Sequence, residues 1–266
     1  MQAVVATATF DMNQSTNEVI TQDPPSVTGF QTGAPASRKV YRFAGLENLA
    51  PGCVEDIPLG RASTVPVVSR ALDIVASLVG LIVFAPVMLV IAIFLRSETP
   101  GPILFRQKRI GHNGEPFTLV KFRTFYTDAK ERFPEMYAYK YESKDIHSLV
   151  FKEDVDPRIT PRGAWLRKTS LDELPNLWNV LKGDMALVGP RPDILEMLPY
   201  YRGEMLTRFS ARPGLTGLAH VSGRSNLTFV DTVAYDLDYI ERRSLWLDLT
   251  IIWRTFVSVI KRDGAF

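Results

Sequence analysis

The sequence predicts an α+β fold, mostly helical: a membrane helix, then a compact cytoplasmic domain with a small β-hairpin and interfacial amphipathic helices. Three observations predict it. Residues 71–95 read ALDIVASLVGLIVFAPVMLVIAIFL, with Asp73 as the only charge, long enough for a membrane helix. Two strand-like runs, 103–109 and 117–124, flank Gly111-His112-Asn113-Gly114, and an Asn-Gly step favours a hairpin. Helical stretches alternate with Gly/Pro loops further on, ending in 245–260.

At 266 residues and 29.9 kDa the chain could hold one large domain or two small ones. A net charge of +2 gives no reason to expect nucleic acid. Cys53 is the only cysteine, which excludes an intrachain disulfide and fits a reducing compartment. His112, His147 and His220 are too scattered for a zinc site. The first thirty residues lack the basic and apolar regions of a secretory signal. Residues 1–65 are rich in Thr, Ser, Gln, Pro, Gly and Ala without apolar period, and read as a disordered arm; 66–266 form the working domain.

A helix over 71–95 would rise roughly 37 Å. Pro86 lacks an amide hydrogen and its ring meets the carbonyl of Ile82, so a bend is expected there. The limbs on either side would rise roughly 22 Å and 15 Å, neither enough to cross alone. Arg70 precedes the segment, and Arg96, Arg106, Lys108 and Arg109 follow it, which favours both ends in the cytoplasm. A re-entrant helix fits both facts. A kinked spanning helix fits equally well, and a buried core helix is a third alternative.

Residues 97–102 form a Pro-Gly-Pro loop, and the second strand ends in Lys121-Phe122-Arg123-Thr124, placing cations at one edge. A helical tendency appears around 127–132. Asp156 to Gly163 is another loop, followed by a short helix through Trp165-Leu166-Arg167. The centre of the chain is Thr169-Ser170-Leu171-Asp172-Glu173-Leu174-Pro175-Asn176. Ser170 and Glu173 have capping-box spacing, and Pro175 sets a helix start. Both acids then lie in the positive field of a helix N-terminus, which favours ionisation. An ionised Asp beside a Glu can act as nucleophile, metal ligand or base. The plainer alternative is two acids capping a surface helix.

Pro190 and Pro192 fix the backbone around Arg191, as suits a cation held for a ligand or simply a rigid turn. Helical signal covers 194–209 and 229–241. Between them, Arg212 to Gly217 and Ser222 to Ser225, with Arg224, could offer amides and guanidinium groups to phosphates. In 245–260, Trp246, Leu249, Ile252, Trp253, Phe256 and Ile260 make an apolar stripe, either interfacial or core-facing. A membrane segment, paired acids and fixed arginines together suit phosphoryl chemistry on a charged substrate whose partner lies in a bilayer. A diphosphate would repel Asp172, so arginines and Mg²⁺ are expected to neutralise it.

Six motifs occur in a set order: Lys121-Phe122-Arg123-Thr124, Asp156 to Thr160, Ser170 to Pro175, Asn179 to Met185, Val188 to Pro192, and Arg212 to Gly217. That order closely resembles the bacterial sugar transferases, monotopic polyprenyl-phosphate phosphoglycosyltransferases, from about Arg70 to the C-terminus. The ending Lys261 to Phe266 resembles members that start exopolysaccharide units, with galactose or glucose. The resemblance implies that Asp172 attacks the sugar-linked phosphate of a UDP-sugar, releasing UMP and leaving a phosphosugar on the carboxylate. Undecaprenyl phosphate would then accept it. Glu173 would assist through Mg²⁺ or proton handling, with Asp172 and Glu173 as candidate metal ligands. Arg167 and Arg191 match phosphate-binding positions, Lys121 or Arg123 the basic strand end, and Asp236 an acid of the following helix; Arg158, Arg212 and Arg224 join them as candidate phosphate ligands. The resemblance also implies the re-entrant topology, and places the protein at the cytoplasmic face of a bacterial inner membrane. Oligomeric state is left open, with a homodimer among the alternatives.

The chain departs from the family pattern at Ala85, where many relatives have Ser before the membrane proline, at Phe125 (Met expected) and at His220 (Gln expected). These bear on substrate contacts and on the bend rather than on the reaction. Two other readings stand beside it: a lipid-linked phosphohydrolase and a non-catalytic membrane scaffold for polysaccharide assembly.

Overall fold

The structure, a computed structural model, describes residues 67–139, 149–150, 156–223 and 226–261. The expected arm, 1–65, and Arg224 lie outside them. Helix α1, Val67–Arg96, is one continuous helix with Pro86 inside it, starting four residues before the apolar run. Its polarity is inverted. Ser69, Asp73 and Ser77, four residues apart, are buried against the domain, while Val75, Leu78, Ile82 and Val83 face outward. Only 11% of its most apolar window is buried, which rules out the core-helix alternative.

Both ends of α1 rest on the same domain. Arg70 donates to the carbonyls of Val180 and Leu181 at 2.7 and 2.8 Å, satisfying the open C-terminal end of helix α4 (Asn176–Lys182). Asp73 accepts from the Leu187 amide at 3.0 Å. At the other end, Ile91 and Leu95 pack with Phe122 and Leu166.

The hairpin forms as the Asn-Gly step requires. Strands β1 (Leu104–Ile110) and β2 (Pro116–Phe122) pair antiparallel, from Leu104 opposite Phe122 to Ile110 opposite Pro116. Asn113 and Gly114 take φ of 55° and 78° to close the turn. Helix α2 (Ala129–Arg132) is short, and α3 (Pro161–Thr169) starts at Thr160, whose hydroxyl accepts from the Gly163 amide at 2.9 Å.

Two expectations need correction. The stretch 194–209 is not an α-helix but two 3₁₀ runs, Leu195–Tyr200 and Gly203–Ser210, because Pro199 and left-handed Gly203 (φ +49°) interrupt it. The stretch Arg212 to Gly217 is not an open loop. It forms strand β4 (Gly214–Thr216), parallel to β3 (Ala186–Val188), and its backbone is spent on pairing: Gly214 N–H donates to Pro190 O at 2.8 Å and Gly189 N–H to Thr216 O at 2.9 Å. Helices α5 (Leu218–Ser222), α6 (Phe229–Arg242) and α7 (Leu245–Lys261) complete the chain. The main core gathers Ile110, Met197, Tyr201, Phe209, Phe229 and Val233, with Tyr201 edge-on to both phenyl rings. In α7, Ile251 and Asp248 face inward, whereas Trp246, Leu249, Trp253, Phe256 and Ile260 are exposed, so its apolar stripe is not core-facing.

Candidate active site

The paired acids occupy a 3₁₀ turn of their own, Leu171–Glu173, between α3 and α4. The expected capping box is absent. Ser170 is left-handed (φ 56°, ψ 15°), its amide closes α3 onto the carbonyl of Arg167 at 3.1 Å, and its side chain makes no cap bond. A residue that ends one helix in the left-handed region cannot also adopt the extended conformation of an N-cap. That reversal carries Asp172 inward, to 5% exposure.

The two carboxylates meet different surroundings. Arg191 donates to Glu173 Oε1 at 2.9 Å, with His220 Nδ1 3.5 Å from the same guanidinium. Burial opposes ionisation of Glu173, but Arg191, His220 and Lys121 together hold its carboxyl below the usual range. Asp172 makes no ion pair among the described residues. Burial, then the charge of Glu173, raise its pKa against the pull of Lys121, Arg167 and Arg191. Lys121 is in turn pushed down to about 8 by burial, with Asp172 opposing. Adjacent carboxylates whose affinities for a proton are driven apart can divide labour, the more basic as nucleophile and the other as a fixed anion.

Of the residues expected at the site, Asp172, Glu173, Lys121, Arg167 and Arg191 are brought together. Arg123 is not: it is 5% exposed, and its guanidinium is consumed by Thr99 O, Thr99 Oγ1 and Pro100 O at 3.0, 2.7 and 3.1 Å, pinning the loop after α1. Arg158 is held in a two-pronged pair with Asp156 (2.9 and 2.8 Å) and stacks on Phe125 and Tyr137, so it braces the site rather than presenting a free fork. Phe125 also carries Arg167, whose guanidinium lies 5.6 Å from its centroid. The charge of Arg212 bears on Asp73 and His112. Asp236 is not presented to an open site: it is 1% exposed and ion-paired to buried Arg208 at 2.7 Å. Arg208 and Asp193, which flank the Arg191 loop, carried no signal in the sequence beyond being charged.

No group of three or more His, Cys, Asp or Glu side chains converges among the described residues. A divalent magnesium ion needs less, because one or two carboxylates suffice when substrate phosphates and water fill the remaining positions. The adjacent acids fit that donor set.

Residues 64–262 match the family described as bacterial sugar transferase. An uncharacterized sugar transferase of Haemophilus influenzae is 42% identical over 200 residues, 75% of this chain and 42% of its own. A UDP-galactose-lipid carrier transferase of Erwinia amylovora is 41% identical over 197 residues, covering 74% of this chain and 41% of its own. A UDP-glucose:undecaprenyl-phosphate glucose-1-phosphate transferase of Caulobacter vibrioides is 41% identical over 217 residues, 79% of this chain and 75% of its own. The chain thus spans well under half the length of the first two relatives.

Proposed function

The chain belongs to the bacterial sugar transferase family, and from that premise we propose that it transfers a hexose phosphate, galactose or glucose, from a UDP-sugar to undecaprenyl phosphate. The observation that carries this reading is the divided pair: Asp172 buried and without an ion pair among the described residues, Glu173 tied to Arg191, and Lys121 and Arg167 close by. An Asp172 oxygen forms a bond to the sugar-bearing phosphorus, and the bridging P–O bond of the diphosphate breaks with its electron pair going to UMP. An oxygen of undecaprenyl phosphate then attacks the same phosphorus, and the Asp172 carboxylate leaves. Lys121, Arg167 and Arg191 oppose the charge of the diphosphate as the anionic nucleophile approaches. Asp172 and Glu173 would hold Mg²⁺, which supplies further charge neutralisation when bound.

The surroundings support a lipid acceptor. An open apolar groove with about 770 Å³ of space lies between α1 and the hairpin, lined by Leu81, Met88, Ala92, Ile103 and Phe122, with Arg106 beside them. A long isoprenoid with an anionic head suits that combination. The outward apolar faces of α1 and α7 support attachment to a membrane, and the reading sets it at the cytoplasmic face of the inner membrane, at the start of exopolysaccharide assembly.

Intact-mass spectrometry tests the reading. Protein given UDP-galactose or UDP-glucose alone should gain the mass of a hexose phosphate and release UMP, and Asp172→Asn should do neither. Turnover should also stop when divalent ions are chelated. Wild-type protein that releases free sugar phosphate without lipid product would be a hydrolase. Protein that supports polysaccharide assembly unchanged as Asp172→Asn would be a scaffold.

A further inference from the structure

Arg208 is a guanidinium with 3% exposure, on the second 3₁₀ run, and such a charge persists only where it is paired and hydrogen-bonded. Its Nη2 pairs with Asp236 at 2.7 Å and donates to the main-chain carbonyl of Arg191 at 2.9 Å. Its Nη1 reaches Asp193 Oδ2 at 3.2 Å and the Tyr201 hydroxyl, which itself donates to Asp193 at 2.5 Å. The next two carbonyls are also occupied: Pro192 O accepts from Arg109 at 3.3 Å and Asp193 O from the Ile110 amide at 2.9 Å. Three successive carbonyls of the loop are therefore held, one from α6 through Arg208 and two from the hairpin. What the loop leaves to reach Glu173 is the Arg191 side chain, 57% exposed.

We propose that Arg208 and Asp236 are positioning residues for sugar-phosphate transfer: their buried ion pair fixes the backbone of Arg191, and Arg191 in turn fixes Glu173 beside Asp172. This rests on the transfer reading above. Burial pushes the Asp236 carboxyl up to about 6 although Arg208 opposes it, with Asp193 adding to the rise. Arg208, Asp193 and, through Asp193, the Tyr201 hydroxyl are the charged and titratable groups facing it. A carboxyl whose folded pKa is raised favours folding below its unfolded value, and that contribution is lost as pH rises through about 6. At neutral pH the chain keeps Asp236 ionised against the cost of burial, with Arg208 as the partner that offsets it.

The test is steady-state transfer by full-length protein in detergent or nanodiscs, with melting temperatures measured alongside. Asp236→Asn should stay folded at the assay temperature, and its melting temperature should vary less with pH between about 4 and 6 than that of wild type, because one of the carboxyls that titrate there is gone. Its kcat should fall on the order of tenfold or more with little change in KM for the UDP-sugar, as a displaced catalytic constellation does. Wild-type kcat should fall on the acid side as both Asp172 and Asp236 protonate, and Asp236→Asn should keep only the part that belongs to Asp172, giving a shallower acid limb. Asp236→Glu should recover part of the loss. In an Arg191→Met background, Asp236→Asn should add no further loss, since the pair acts through Arg191. Wild-type kcat in Asp236→Asn, or losses that simply add in the double variant, would overturn the proposal. Should Asp236→Asn not fold, Tyr201→Phe, which removes only the hydroxyl shared by Arg208 and Asp193, must lower kcat without moving KM, or the proposal falls. A wild-type protein that transfers nothing would overturn the parent reading instead, and the melting data would still report on the pair.

Discussion

Lys121 lies beside Asp172, and its pKa near 8 puts its charge within reach of ordinary assay pH. The ammonium is present below that value and lost above it, so a cation opposing diphosphate repulsion disappears as pH rises through about 8. Transfer by wild type should therefore decline on the alkaline side. Lys121→Arg should keep its rate to higher pH, though from a lower plateau, because a guanidinium does not deprotonate in this range but is larger. Rate profiles from pH 6 to 9.5 check this, and an alkaline limb unmoved in Lys121→Arg would mean another group titrates. Lys121 was legible because it ends a strand next to a recognisable motif. Arg123, two residues on, looked equivalent and is not: sequence reveals that a cation exists, whereas its employment depends on which carbonyls surround it, here those of Thr99 and Pro100. Asp236 misled for the same reason, its partner Arg208 being 28 residues earlier in an unremarkable stretch.

Among the elements, the hairpin and helices α3, α4, α6 and α7 were readable because their period, turns and prolines are local properties. The parallel pair β3–β4 was not, since three-residue strands carry no pattern and the Gly and Pro residues that adjoin them imitate a loop. What the glycines provide is close approach. A Cβ at Gly214 would stand 2.1 Å from the Gly189 nitrogen and 2.3 Å from the Thr216 carbonyl oxygen, both backbone atoms that cannot turn aside. Gly214→Ala should consequently cost about 3 kcal/mol or more, lowering the melting temperature by roughly 10 °C. Gly203 provides the contrast. It is left-handed, but nothing lies within 4 Å of its missing Cβ, so Gly203→Ala should cost only the conformational term, about 1 kcal/mol. Thermal melts of the two variants compare them directly, and equal losses would refute the close-approach account. Because β3 leads into the Pro190–Asp193 loop, Gly214→Ala should also impair transfer more than its stability loss explains.

For the molecule as a whole, the apolar run was plain from sequence, but its path through a bilayer was not, because hydropathy has no direction. The seating of α1 adds the missing constraint. Arg70 holds the carbonyls of Val180 and Leu181, while Arg162 reaches Phe94 O and Ser97 at the far end. A helix crossing a hydrocarbon layer of about 30 Å separates its ends onto opposite aqueous faces, where one folded domain cannot touch both. The four tryptophans, Trp165, Trp178, Trp246 and Trp253, are all exposed, as residues of a membrane-interface belt would be. Both ends of α1 should accordingly lie on one side. In a Cys53→Ser background, single cysteines at Val67 and Ser97 should react with an impermeant maleimide in inverted membrane vesicles, and neither should react in intact cells. Modification of one position from each face would establish a spanning helix, and the contacts of Arg70 and Arg162 could not then coexist. Quenching of tryptophan fluorescence by brominated lipid gives an independent reading, since a belt seated in the interface must be quenched and a surface facing water must not.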